Sequence, residues 1–168
     1  MPKGLKQTSS VVSIGFSVTE SAANTFTQEQ VDLNLDPLNR EVFVVMAIDL
    51  DPAEPDFVAG SQTATDVSLT TTSQTSIQSL SNSNCLAVGK LAIRSVGAAG
   101  VSFQRQATES PSALLEYLGI IATNDFFVGI SGTNNASAKA SAGKLYGYRA
   151  TAGADIFAAL VQSEVLSA

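Results

Sequence analysis

The chain has 168 residues, a net charge of −6, only 14% charged side chains and no histidine. That length suits one domain with an appendage and is enough to bury a core. The composition excludes a disordered chain, no apolar run approaches the roughly 20 residues of a membrane span, and the missing histidine removes the commonest general base and metal ligand.

Met1 to Ser10 reads as an extended arm. Its two lysines are followed by no hydrophobic segment, so no secretory signal is expected. Val11 to Val18 alternates, with Val12, Ile14, Phe16 and Val18 on one face, as a half-buried strand does. Val31 to Asp36 alternates again until Pro37, which has no N–H to donate. Glu41 to Leu50 is the longest apolar strand. Strict alternation puts Val42, Val44, Met46, Ile48 and Leu50 on one face and Phe43, Val45 and Ala47 on the other, as expected of a central position.

Val67 to Thr71 marks a strand inside the Thr/Ser-rich stretch Ser61 to Asn84. Leu86 to Arg94 and Gly100 to Ala107 are two more, separated at Gly97-Ala98. Pro111 precedes Tyr117 to Ile130, where two short apolar runs flank Thr123-Asn124-Asp125. Asn and Asp tolerate tight-turn geometry, so this stretch reads as a hairpin. Phe126, Val128 and Ile130 are expected to share one core with Val42, Val44, Met46 and Ile48. Lys144 to Ala150 is the last strand, with Tyr146 and Tyr148 on one face. After Gly153, Ile156, Phe157, Leu160, Val161 and Val165 recur at helical spacing, and Asp155 suits the positive end of a helix dipole.

About nine closely spaced strands and a terminal helix predict an all-β fold: an antiparallel β-sandwich of jelly-roll type with a short C-terminal helix. The corresponding division is an arm at 1–10, the sandwich at 11–151, and the helix and tail at 152–168. The helix needs a groove for its apolar stripe, on its own sandwich or on a neighbour. Ile156, Phe157, Leu160, Val161, Tyr146 and Tyr148 are the candidate interface residues.

Candidate chemistry is sparse. Asp49, Asp51, Glu54 and Asp56 place four carboxylates within eight residues, in a stiff loop with Pro52 and Pro55. Hard cations want several oxygen ligands, so these four are the candidate metal residues and calcium the candidate ion. The spacing is not that of an EF-hand, and a solvated acidic loop is the plainer reading. No other cofactor is expected. A Ser/His/Asp triad is impossible without histidine, and no nucleophile elbow or phosphate-cradling loop occurs, so the chain is not expected to be an enzyme. Cys85 stands alone and suits a small core position. Asn135-Ala136-Ser137 matches the glycosylation pattern. Lys3 and Lys6 are too few for phosphate binding by the arm, so no direct nucleic-acid contact is expected.

Charge is unevenly spread. Glu29 to Asp66 holds nine acidic residues and one basic one, whereas Lys90 to Arg149 holds six basic and three acidic ones. That asymmetry predicts complementary contacts, within one chain or head to tail between copies.

The stretch FFVGISGTNN, followed by GKLYGYRA and a short terminal helix, resembles the virion structural proteins, in particular the single jelly-roll capsid proteins of icosahedral viruses. The resemblance covers the strand pattern from about Val11 to Ala150. It implies an eight-stranded sandwich that contacts identical copies in a virion shell, alone or with other virion proteins. The chain departs from many small RNA-virus coats in having no basic arm, which argues against direct genome packaging. The alternatives are a trimeric decoration or fibre-like protein of a phage, or a carbohydrate-binding sandwich with Tyr117, Tyr146 and Tyr148 as stacking residues.

Overall fold

The computed structural model describes residues 3–105, 108–109 and 116–166. Ala107 and Pro111 lie outside them. In chain order the strands are β1 (Leu5–Gln7), β2 (Val12–Thr19), β3 (Thr27–Asp32), β4 (Glu41–Pro52), β5 (Gln62–Thr70), β6 (Cys85–Val96), β7 (Ala99–Arg105), β8 (Thr108–Glu109), β9 (Gly119–Ile121), β10 (Asp125–Thr133) and β11 (Ala140–Ala152). Among the described residues one helix, α1 (Ala154–Leu166), follows them.

The strands form two antiparallel sheets. In sheet A, β11 is central, with β1 and β2 along one side and β4 on the other; β4 in turn carries β8 and β9. Sheet B runs β3-β10-β5-β6-β7. With β1, β7 and β8 set aside, sheet A reads first, last, third and sixth strand, and sheet B reads second, seventh, fourth and fifth. This is the double Greek key of a jelly roll.

The main core lies between the sheets. Phe16, Phe43, Ile48, Leu50, Leu69, Ile121, Phe126, Ile130 and Leu145 are among its buried members. Phe16 and Phe126 meet edge to face across it, with ring centroids 5.6 Å apart. Phe126, Val128 and Ile130 point inward as alternation predicts. Glycines supply clearance where rings cross the sheet. A Cβ on Gly147 would collide with the Val44 carbonyl and the Phe43 ring, and one on Gly143 would meet the Phe16 ring.

Three features depart from the sequence reading. First, Tyr117 to Ile130 is no hairpin. β9 pairs with β4 in sheet A, and β10 pairs with β3 and β5 in sheet B. Residues 122–124 therefore cross between the sheets. Asn124 serves there as an anchor: its carbonyl accepts the Leu33 N–H at 2.8 Å, and its side-chain oxygen accepts the Leu35 N–H at 2.6 Å. Second, β3 ends at Asp32, earlier than alternation alone suggests, although the Leu33 N–H still bonds in register with Asn124.

Third, the faces of β4 do not hold constant. Tyr146 lies opposite Ala47 and Gly147 opposite Val45, so Met46 is left without a partner in the ladder. A bulge of this kind adds one residue and reverses the side-chain phase. Phe43 and Val45 point inward before it, and Ile48 and Leu50 after it. Val42, Val44 and Met46 belong instead to a second cluster on the outer side of sheet A. They do not share one core with Ile48, Phe126, Val128 and Ile130.

α1 covers that second cluster. Ile156, Phe157, Leu160 and Val161 pack partly buried against Val42, Val44, Tyr148 and Ala150. Without the helix, sheet A would present these apolar residues to solvent.

Candidate functional site

The polar end of the sandwich is built around Glu20, the residue after β2, which is only 4% exposed. Its carboxylate accepts the N–H groups of Thr25 at 3.1 Å, Gly132 at 2.5 Å and Lys139 at 2.8 Å. Asn24 and Asn135 exchange two hydrogen bonds, Asn24 Nδ2 to Asn135 O at 2.8 Å and Asn135 N to Asn24 Oδ1 at 2.7 Å. Asn24 and Asn134 both adopt left-handed backbone, with φ of 60° and 53°, which asparagine tolerates. These contacts tie the 20–26 loop to the 134–139 loop.

The 53–61 loop joins them through Asp56. Its carboxylate accepts the Lys139 ammonium at 2.6 Å, the Ser137 hydroxyl at 2.9 Å and the N–H groups of Ala136 and Ser137 at 3.0 Å. The Lys139 ammonium, then Ser137, hold the Asp56 carboxyl down at a pKa of about 2. Asn135 Oδ1 accepts the Asp56 N–H at 2.9 Å and its Nδ2 donates to the Ala64 carbonyl at 2.8 Å. The glycosylation-pattern asparagine is thus buried and its amide engaged at both ends. The chemistry of this end is that of a clasp between three loops.

The four candidate metal residues are spread out. Asp49 and Asp51 flank inward-pointing Leu50 on β4, Glu54 is exposed, and Asp56 faces Lys139. Among the described residues, no three His, Cys, Asp or Glu side chains group closely enough to hold a metal ion. The charge asymmetry resolves within the chain. Asp66 pairs with Lys90 at 3.0 Å, Asp56 with Lys139 at 2.6 Å and Glu41 with Arg149 at 3.1 Å. Each pair joins the acidic segment to the later basic one, which leaves less charge for a head-to-tail contact.

At the outer face of sheet A, Tyr148 is buried and Tyr117 partly buried in the cluster under α1, while Tyr146 is half-buried. Burial, and behind it the charge of Glu116, pushes the Tyr148 hydroxyl pKa up. Of the candidate interface residues, Ile156, Phe157, Leu160, Val161 and Tyr148 face one another inside this chain. Glu164 closes the arrangement. It is the buried residue of α1, and its two carboxylate oxygens accept the N–H groups of Ala122 and Thr123, each at 3.0 Å. The Glu164 carbonyl accepts Asn84 Nδ2 at 3.2 Å. Burial raises the pKa of the Glu164 carboxyl despite those two donors.

Sequence reasoning passed over Glu20, Asn135 and Glu164 as structural anchors. Glu164 did leave a signal: positions 157, 160, 161 and 164 lie on one helical face, so an acid interrupts the apolar stripe. Glu20 left only its place at a strand end.

An open groove of about 650 Å³ lies beside β1 and the far end of β11. Lys6 and Arg40 line it together with Asp36 and Glu41, so its charge is mixed. Among the described residues, no helix is long and apolar enough to cross a membrane.

The fold and these anchors define a class: a single jelly-roll sandwich whose outer sheet face is closed by its own C-terminal helix. No protein-family model matches the chain, and no curated protein matches it. Among solved structures, a chain of Desmodium yellow mottle tymovirus is similar at 9% identity, over 91% of this chain and 93% of that one, with a TM-score of 0.29.

Proposed function

We propose that this chain is a virion structural protein, a capsid subunit that assembles with copies of itself into a symmetric shell. The observation that carries this reading is a finished jelly roll with large apolar side chains left exposed at its two opposite ends. At the clasped end, Phe57 and Val96 are 53% and 79% exposed, beside Val101. The 53–61 loop meets the β6–β7 turn there, where the Gly60 N–H donates to the Gly97 carbonyl. At the other end, Leu38 is 93% exposed in the turn before β4, and nearer the middle Val11 and Val12 are exposed where β2 begins opposite Gly147.

Exposed apolar groups mark interfaces. Two unlike groups at opposite ends favour heterologous contacts, which close into rings and shells when the rotation permits. Lys90, Lys139 and Arg149 are engaged by carboxylates of the same chain, which supports a shell that does not itself grip the genome. Its partners are then other copies and other virion proteins, and its location the virion.

Light scattering and negative-stain electron microscopy on the purified chain test the reading. Closed particles of uniform size are expected, and Phe57→Ser with Val96→Asn should reduce them. Trimers that add to a preformed particle would favour a decoration role. A chain that stays monomeric at high concentration would overturn the assembly reading.

A further inference from the structure

We infer that β2 is a self-pairing edge, joining antiparallel to the β2 of a second copy so that sheet A continues across two molecules. The inference names one contact of the assembly proposed above and rests on that reading. Edge strands present unpaired N–H and C=O groups and template pairing with another chain. In sheet A, β2 has β11 as its ladder partner on one side. The ladder runs without a break from Thr19 opposite Ala140 to Val12 opposite Gly147.

The direction of the free groups follows from one bond. The Glu20 N–H donates to the Lys139 carbonyl at 2.9 Å. Antiparallel ladders alternate between bonded and non-bonded pairs. The N–H groups of Thr19, Ser17, Gly15 and Ser13 therefore point away from β11, toward a side on which no strand pairs with β2 among the described residues. The same four residues are exposed on the outer face. Among the described residues nothing lies within 4 Å of a Cβ built on Gly15, so the outer face is clear at that position. α1 packs over the other half of β11, against Tyr148, Ala150 and Ala152.

Natural edges are blunted by charge, proline, bulges or shortness. β2 has none of these. It is eight residues long, and no charged residue or proline stands between Lys6 and Glu20. By contrast β3, an edge of sheet B, carries exposed Glu29 and Asp32, and β1 is three residues long with Lys6 at its centre. Self-pairing of β3 would bring like charges near one another, which destabilises a ladder. β2 meets its own copy with serine, glycine and threonine alone on the outer face. Antiparallel pairing of one strand with itself uses the same surface twice, which is the isologous contact of a two-fold axis. It complements the unlike apolar ends, which suit heterologous contacts.

The test uses the full chain and two variants. Ser17→Lys puts a charge on an exposed outer-face side chain. Ser17→Pro removes an outward N–H that β11 does not use, a position where an edge strand accepts proline. Both should keep the wild-type circular dichroism. Both should shift the concentration at which light scattering detects assembly upward by about tenfold. Hydrogen exchange of the Ser13, Gly15, Ser17 and Thr19 amides should be slow in assembled wild-type protein and fast in dilute protein. If Ser17→Lys assembles like wild type, or those amides exchange equally fast in both states, β2 pairing is overturned while the shell reading stands. A wild-type chain that never assembles overturns both.

Discussion

Glu164, near the end of α1, holds the Ala122 N–H at 3.0 Å on the crossing between β9 and β10. Its second oxygen takes the Thr123 N–H, so one side chain satisfies two backbone donors where the chain leaves sheet A for sheet B. The helix is thereby fixed to the fold at a polar point as well as by its apolar stripe. Glu164→Ala should leave those donors unsatisfied and cost about 1–3 kcal/mol. Urea unfolding and hydrogen exchange across α1 would show the loss, and Glu164→Gln, which keeps one acceptor, should lose less.

Glu164 and Asp56 should respond to pH with opposite signs. The Glu164 pKa is raised in the fold, so the folded state binds the proton more readily than the unfolded chain. Its contribution to stability is fully present below the unfolded value of about 4.5 and is lost as pH rises through the raised folded value. Asp56 is lowered to about 2 by Lys139 and Ser137. Its contribution is present above the unfolded value of about 3.8 and is lost as pH falls toward 2. Melting temperatures from pH 2 to 7 should show Asp56→Asn flattening the acid limb and Glu164→Gln flattening the decline above about pH 4.5. An unchanged acid limb in Asp56→Asn would mean that the clasp charge contributes nothing.

The bulge at Met46 separates two neighbours on one strand into two classes of mutant. Ile48→Ala opens a cavity in the main core and should cost about 2–5 kcal/mol. Met46→Ala trims a side chain that is only partly buried under α1, so about 1 kcal/mol is expected. Met46→Asp should loosen α1 and yet leave the sandwich folded. Denaturation midpoints of the alanine variants should differ clearly; equal losses would contradict the phase reversal.

Two glycines of paired strands should also part company. Gly147→Ala forces a methyl group into the Val44 carbonyl and the Phe43 ring, an overpacking that should cost about 1–3 kcal/mol. Gly15→Ala enters open space and should be neutral or stabilise by about 0.4–1 kcal/mol through the unfolded chain. Thermal melts of the two variants would check the contrast.

Strand positions and the inward set Phe126, Val128 and Ile130 were legible because alternation with period two is a local signal. So was the helical stripe of Ile156, Phe157, Leu160 and Val161. What local patterning does not carry is partner choice. Thr123-Asn124-Asp125 has hairpin chemistry, yet β9 and β10 pair in different sheets, and Asn124 bonds Leu33 and Leu35 of a distant segment at the crossing. The Met46 bulge is equally silent, since an uninterrupted apolar run looks the same with or without a phase slip. The charge asymmetry was visible, but its resolution into Asp66–Lys90, Asp56–Lys139 and Glu41–Arg149 required the fold. Glu20 became an anchor only when Gly132 and Lys139 were brought beside it.

The central place of β11 in sheet A has a consequence for synthesis. Sheet B is complete in chain once β10 has left the ribosome, since β3, β5, β6, β7 and β10 all precede residue 134. Sheet A at that moment lacks the strand between β2 and β4, and those two have no ladder to each other. A chain of that length has every strand of sheet B and only the separated margins of sheet A, so Phe16 on β2 and Phe43 and Leu50 on β4 are not yet joined by the strand between them. Pairings between residues this far apart in sequence form slowly and leave strand edges open meanwhile. Sheet A can be completed only after β11 has been made, because β2 and β4 meet only through it, and α1 comes last in the chain.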